Sequence, residues 1–240
     1  MLDIERHKQI LAFLKENSGV KVRQLAKTFY VSEPTIRRDL NELEKQGKVK
    51  RTFGGVVLID IQTKEIPLLL RVGENIPEKK LLAQKALEHI RDGNIVFFDA
   101  SSTVLQMIPM LVPSFKNITA VTNGMQTALE LAKLNITTYC TGGKLLNNSS
   151  AFAGNDTDNY LRNINADVMF ASCRGYTDGI LSDSSIEEAY VRKIMIAQSK
   201  RSYFLIDSSK IGKKFFHTIS YDTKVTEVIT LSKEDREVLI

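Results

Sequence analysis

The sequence predicts an α/β protein in two parts: a small basic helical module, then a mainly parallel sheet covered by helices. Three observations carry this. All of the net charge of +5 lies in residues 1–58, which hold 12 Lys+Arg against 7 Asp+Glu. That same stretch reads as short amphipathic helices followed by a hairpin. From residue 95 onward, apolar β-rich runs alternate with helical stretches, the pattern of strands covered by crossover helices.

With 240 residues and 43% hydrophobic content, the chain has room for two domains and enough apolar material for a sizeable core. No apolar run approaches 18 residues, so no membrane span or membrane partner is expected. The N-terminus MLDIERHKQI lacks the apolar segment of a secretory signal. Two cysteines, Cys140 and Cys173, give neither a disulfide framework nor a metal-ligand spacing. A reducing cytoplasm is the expected compartment, with no metal, no cofactor and no catalytic residue expected.

In the N-terminal module, Ile4, Ile10, Leu11 and Leu14 predict a first helix ending near Asn17-Ser18-Gly19. A second helix follows in VKVRQLAKTF, with Leu25, Ala26 and Phe29 inward. After a brief turn at Tyr30-Val31 comes SEPTIRRDLNELEKQG. Ser32 is a good N-cap, because its hydroxyl accepts an orphan backbone N–H of the first turn. Pro34 fits there, where no intrahelical N–H bond is lost. Ile36, Leu40 and Leu43 recur at i, i+4, i+7 and form the buried stripe. Pro34, Arg38, Asn41 and Lys45 then project outward, with Thr35 and Arg37 on the flanks. The helix ends near Gly47. Val49–Phe53 and Val56–Ile59, around Gly54-Gly55, read as a hairpin carrying Lys48, Lys50 and Arg51.

This order is a helix-turn-helix with a wing, whose second helix enters a DNA major groove by its N-terminal half. Arginine pairs bidentately with guanine and asparagine with adenine, while wing lysines suit phosphates. The candidate DNA-binding residues are Ser32, Pro34, Thr35, Arg37, Arg38, Asn41, Lys45, Lys50 and Arg51. A solvated basic face in a protein-interaction module is the plainer alternative. The stretch VSEPTIRRDLNELEKQGKVKRTFGG resembles the signature of DeoR-type bacterial transcriptional regulators, in which a TIRRDL helix precedes a wing ending in Gly-Gly.

IDIQTKEIPLLLRVGENIPEKK is poorly periodic and reads as a linker, giving expected domains of 1–58, a linker of 59–74 and a body of 75–240. A helix is expected over Leu81–Leu87. The strand-like runs are IVFFDA, ITAVT, TTYCT, ADVMFAS, RSYFLID and EVITL. Several of them lead directly into small, polar or cationic residues: Ser101-Ser102-Thr103, Asn123-Gly124, Gly142-Gly143, Cys173-Arg174-Gly175 and Ser208-Ser209-Lys210. In an open parallel sheet these carboxyl ends share one edge, where ligands bind. Ser101–Thr103 at a helix start suits a phosphate, Lys210 or Arg174 neutralises it, and Asp99 accepts from sugar hydroxyls. Each also has a plain reading as a cap or turn.

The pattern FDASST, TNG, TGGKL, FAG, EEAYVRK and DSSK resembles the effector domain of the same DeoR-type family, which is similar in fold to ribose-5-phosphate isomerase. The resemblance then spans nearly the whole chain. It implies a repressor that senses a phosphorylated sugar and leaves its double-stranded DNA operator on binding it. It also implies a site drawn from Asp99, Ser101, Ser102, Thr103, Thr122, Asn123, Gly142, Gly143, Glu188, Lys193 and Lys210. Two departures stand out: Ser101 where many relatives have Gly, and SCRGYTDG in place of a commoner Gly-rich stretch. A homodimer or higher homo-oligomer is expected, since helix-turn-helix regulators bind paired half-sites. The rival reading is a sugar-phosphate isomerase or deaminase with an appended DNA-binding segment. It needs a placed base, for which Asp178, Asp183, Glu187 and Glu188 are available, whereas His89 and His217 have no obvious partner.

Overall fold

The structure is a computed structural model that describes residues 3–17, 20–52, 55–58, 67–115, 117–219 and 221–237. The chain divides into two compact units, Met1–Arg71 and Val72–Ile240.

In the first unit, α1 (Asp3–Glu16), α2 (Val22–Thr28) and α3 (Glu33–Lys45) precede the antiparallel hairpin β1 (Val49–Thr52) and β2 (Gly55–Leu58). Ile10, Leu14, Leu25, Ile36, Leu40, Leu43, Val49 and Val56 form its core, so the predicted i, i+4, i+7 stripe of α3 faces inward. Gly55 pairs with Thr52 inside the hairpin ladder rather than standing in the turn. The reason is Val20, which bridges to Val56 as a third short edge. A Cβ on Gly55 would lie 2.4 Å from the Val20 carbonyl oxygen, so only glycine admits that approach. Phe53, Gly54 and Ile59 of the expected hairpin, and Ser18-Gly19 of the expected helix end, lie outside the described residues.

A short helix, α4 (Leu68–Val72), occupies part of the stretch expected to be linker; residues 59–66 lie outside the described residues. Leu68 and Leu70 are buried, and the Pro67 carbonyl accepts from the amides of Leu70 and Arg71.

In the second unit, α5 (Ile76–Leu87) starts five residues before the stretch expected to be helical. Then follow β3 (Ile95–Phe98), α6 (Ile108–Ser114), β4 (Thr119–Thr122), α7 (Met125–Lys133) and β5 (Thr137–Cys140). A hairpin of β6 (Lys144–Leu146) and β7 (Ala151–Ala153) leads through α8 (Asn155–Arg162) to β8 (Ala166–Ala171). Next come β9 (Gly175–Thr177), β10 (Ile180–Asp183), α9 (Ile186–Ala197), β11 (Ser199–Leu205), β12 (His217–Ile219), β13 (Thr226–Ile229) and α10 (Lys233–Glu237).

All six runs read as strands form one parallel sheet, ordered β13-β11-β8-β3-β4-β5. The fold class is therefore as expected: a helix-turn-helix module, then a mainly parallel α/β domain. Both sheet faces are covered, and side chains alternate between them. Val96, Phe98, Val168, Phe170, Tyr203 and Leu205 pack on one face; Phe97, Met169, Ala171, Phe204 and Ile206 pack on the other. The strand order runs one way from β3 through β4 and β5, and the other way through β8, β11 and β13. The switch therefore falls between β3 and β8, and their carboxyl-end loops open a crevice there. A separate antiparallel sheet, β12-β10-β9, had no counterpart in the sequence reading. No helix among the described residues is long and apolar enough to cross a membrane.

Candidate nucleic-acid interface and effector site

The candidate nucleic-acid interface is built on α3. Ser32 caps it, its Oγ accepting from the Thr35 amide at 3.3 Å, and Pro34 stands in the first turn. Gly47 closes the other end at φ +67°, with Lys48 N–H donating to the Leu43 carbonyl and Gly47 N–H to that of Glu44. Pro34, Arg37, Arg38, Asn41 and Lys45 are exposed, and Thr35 is half-buried. Arg37 reaches back to Glu33 at 3.6 Å across one turn, a surface pair of small worth. On the hairpin, Lys50 and Arg51 are half-buried. Arg51 ties the wing to α3: its amide donates to Glu44 Oε1 at 2.9 Å, and its guanidinium donates to Asn41 Oδ1. Bidentate reading of adenine by Asn41 therefore requires that oxygen to leave Arg51.

Sequence reasoning missed the pair that sets the angle of α3. Asp39, 1% exposed, accepts from Arg6 Nε at 2.6 Å and Nη2 at 2.8 Å, and from His7 Nε2 at 3.3 Å. Burial pushes the Asp39 carboxyl up, but the Arg6 and His7 contacts outweigh it and hold it below its ordinary range. Thus α1 is fixed to the inner side of α3 while Arg37 and Arg38 remain outside.

The second site lies at the switch between β3 and β8. Ser101 starts the turn after β3: its amide donates to Asp99 Oδ1 at 2.9 Å and its Oγ accepts from Val104 N–H at 3.2 Å. The amides of Ser102 and Thr103 donate to no acceptor among the described residues. Two ammonium groups reach this turn. Lys210 Nζ donates to Thr103 Oγ1 at 2.8 Å and Ser172 Oγ at 2.7 Å, and pairs with Asp207 at 2.9 Å. Lys79, only 3% exposed, donates to Ser102 Oγ at 3.1 Å. Sequence reasoning missed Lys79; its α5 docks beside β11, and Glu78 on the same turn accepts from the Ser208 amide and hydroxyl at 2.7 Å. Burial raises the Asp207 carboxyl, but Lys210 and the Ser209 hydroxyl bring it down to about 2.

Asp99 requires a correction. It does not face the crevice as a hydroxyl acceptor but is 1% exposed. Its oxygens accept from Ser101 N–H, from Ser172 N–H at 3.2 Å and from Arg192 Nε at 2.9 Å. Arg192, also missed, projects from α9 and holds Asp183 at 2.9 Å and Glu188 at 3.0 Å as well. All four groups are buried. Burial, helped by the neighbouring Glu188 charge, holds the Asp183 carboxyl above its ordinary range against the opposing pull of Arg192 and Arg174. Glu188 thus joins this cluster through its Oε2. The Lys193 side chain, one residue after Arg192, makes no ion pair or hydrogen bond among the described residues. A missed signal existed: Glu188 and Arg192 stand at i, i+4 inside an otherwise apolar helical face.

The remaining residues line the neighbouring strand ends. Asn123 is 3% exposed; its Nδ2 donates to the Phe152 carbonyl at 3.1 Å, while its buried Oδ1 accepts no hydrogen bond among the described residues. Thr122 Oγ1 accepts from Gly124 N–H at 2.9 Å, a turn-closing role. The Gly142 carbonyl accepts from Thr157 Oγ1 at 2.6 Å. Gly143 has φ +104°, and a Cβ there would lie 2.3 Å from the same Thr157 oxygen. Arg174 is half-buried, and its charge acts on Asp183. The structure therefore gathers Ser101, Ser102, Thr103 and Lys210 with Lys79 and Ser172. It gives Asp99, Thr122, Gly143 and Glu188 structural work.

Comparison with known proteins matches both parts. Residues 6–62 match the model of the DeoR-like helix-turn-helix domain, and residues 74–232 that of the DeoR C terminal sensor domain. An uncharacterized HTH-type transcriptional regulator, YulB of Bacillus subtilis, is 37% identical over 98% of this chain and 91% of its own. The regulator GolR of Listeria innocua is 32% identical over 97% and 92%. The lactose phosphotransferase system repressor of Staphylococcus epidermidis is 31% identical over 94% and 91%. A solved D-ribose-5-phosphate isomerase in complex with phospho-erythronic acid covers 55% of this chain and 52% of its own, at 18% identity and a TM-score of 0.42. That last likeness bears on no ligand.

Proposed function

This chain belongs to the DeoR family of transcriptional regulators, and from that premise we propose that it represses a sugar-use operon and is released by a phosphorylated sugar. It is a DNA-binding regulator and not an enzyme. The regulator and repressor names of its relatives support the repressor reading. The effector reading rests on one observation above the others: Lys79 and Lys210 converge on a turn whose Ser102 and Thr103 amides have no acceptor among the described residues.

Such a turn receives an anion without rearranging its backbone. Two amides and two hydroxyls lie on adjacent residues of one turn, and the ammonium groups of Lys79 and Lys210 supply the countercharge. A phosphate oxygen takes the place that Thr103 Oγ1 and Ser172 Oγ now fill for Lys210. Asn123 Oδ1, buried and accepting nothing among the described residues, supplies the acceptor for a ligand hydroxyl that Asp99, held by Arg192, does not give. Behind the turn, Asp99 links its backbone to Arg192 and so to α9 and β10, a contiguous route by which a bound phosphate biases the rest of the unit. Release of DNA requires that the ligand bind the released state better than the DNA-competent one. A ratio of ~10–100 corresponds to ~1–3 kcal/mol of coupling.

The buried carboxylates that the isomerase reading would need are held by Arg192, and the other two lie at the exposed surface. Asp183 and Glu188 are held by Arg192, Glu187 pairs with Lys144 at 2.9 Å, and Asp178 is exposed in a turn at φ +48°. We place the protein in the cytoplasm, acting on operator DNA as a homodimer or larger homo-oligomer, as paired half-sites demand. A thermal-shift screen of pentose, hexose and triose phosphates against the full chain tests the effector: a phosphorylated sugar should raise the melting temperature where its unphosphorylated form does not. Equal shifts from the two forms would contradict a phosphate-centred site.

A further inference from the structure

We infer that Tyr30 is a DNA-contacting residue whose phenol hydroxyl donates to a backbone phosphate at the edge of the groove that α3 enters. The inference rests on the DNA-binding reading above and adds to it a residue on the turn between the two helices.

Tyr30 closes α2 in the same way that Gly47 closes α3. Val31 N–H donates to the Ala26 carbonyl at 3.1 Å and Tyr30 N–H to that of Lys27 at 3.4 Å; Lys48 and Gly47 repeat the pattern on Leu43 and Glu44. Both middle residues have positive φ, +54° at Tyr30 and +67° at Gly47. Glycine suits that position, and asparagine tolerates it; a bulky aromatic residue is strained there. Burial does not compensate, since Tyr30 is 95% exposed, the largest exposure of any big apolar side chain in the described residues. Folding thus gains nothing from the ring.

Its place in the motif gives the ring a use. The first helix of such a motif crosses the DNA backbone and the second enters the groove by its N-terminus. Tyr30 stands between them, two residues before the Ser32 cap. Its neighbours on α2, Arg23 and Lys27, are exposed cations. Tyrosine hydroxyls are ordinary phosphate donors at such positions.

The test uses the full chain, a duplex selected by the wild-type protein from a random-sequence pool, and an unrelated duplex of equal length. Tyr30→Gly should weaken binding to both by roughly tenfold, the usual effect of losing a hydrogen bond to a charged group. Its melting temperature should hold or rise, because glycine relieves the left-handed strain. Tyr30→Phe should show most of the same loss with the salt dependence unchanged, since a neutral hydroxyl releases no counterion. Wild-type affinity in Tyr30→Gly overturns the inference. So does a melting temperature that falls together with affinity, which makes the ring structural, or a changed oligomeric state, which makes it a protein contact. If the wild-type protein selects no duplex, the DNA-binding reading itself fails first.

Discussion

Replacing Arg192 by Met should unfold the sensor unit long before it disturbs DNA recognition. The guanidinium is 3% exposed and lies 2.9, 2.9 and 3.0 Å from the carboxylates of Asp99, Asp183 and Glu188. Methionine fills much of the volume but none of the charge. Removing one partner of a buried ionic cluster costs about 3–5 kcal/mol, because the partners left behind keep their desolvation penalty. For a unit of this size each kcal/mol moves the melting temperature by roughly 2–4 °C, so a drop of roughly 6–20 °C is expected. The pH dependence carries the sharper signature. In the variant Asp183 keeps its burial and loses its nearest cation, so its folded pKa, already raised by burial, moves further above the unfolded one. Such a group binds protons preferentially in the folded state, and stability then grows as pH falls from 7 towards the unfolded value near 4. Thermal melts of wild type and variant between pH 5 and 8 should therefore show the deficit shrinking at acid pH. A loss below roughly 3 °C, or a deficit that does not change with pH, would refute the view that Arg192 neutralises this trio.

Two further outcomes follow from the DNA-binding unit. Arg38→Ala should cost on the order of 1–3 kcal/mol in affinity for the selected duplex and far less for an unrelated one, as read by gel-shift titration; unchanged affinity would remove Arg38 from base reading. Arg51→Ala should weaken both duplexes and flatten the plot of log K against log salt by about one unit for each phosphate that Arg51 neutralises; an unchanged slope would leave Arg51 only its tie to Asn41.

What was legible in the sequence was what short-range pattern specifies. The four inner strands β3, β4, β8 and β11 stood out because strands buried on both faces read as continuous apolar, β-branched and aromatic runs. The cap at Ser32 and the stripe of Ile36, Leu40 and Leu43 were equally local. The three-residue strands β6, β7, β9 and β12 are too short and mixed to show a period. The partners that matter most are distant in sequence. Asp39 meets Arg6 across 33 residues and Arg192 meets Asp99 across 93. Nothing in either segment declares the other, so Asp99 was read as facing a ligand when it faces Arg192. Lys79 was hidden for a different reason: in PEKKLL two lysines are adjacent, and only the start of α5 at Ile76 decides which points inward.

The central claim is that a phosphate held on the Ser102-Thr103 turn by Lys210 and Lys79 takes the protein off its operator. The direct measurement is affinity for the selected duplex with and without a saturating amount of the sugar phosphate that most raises the melting temperature, for wild type, Lys210→Ala and Lys79→Met. The ligand should weaken wild-type binding by ~10–100-fold. Both variants should bind DNA as wild type does when ligand is absent, and should stay bound when it is added. If Lys210→Ala releases DNA at the wild-type ligand concentration, the phosphate is held elsewhere and the account of this site is wrong.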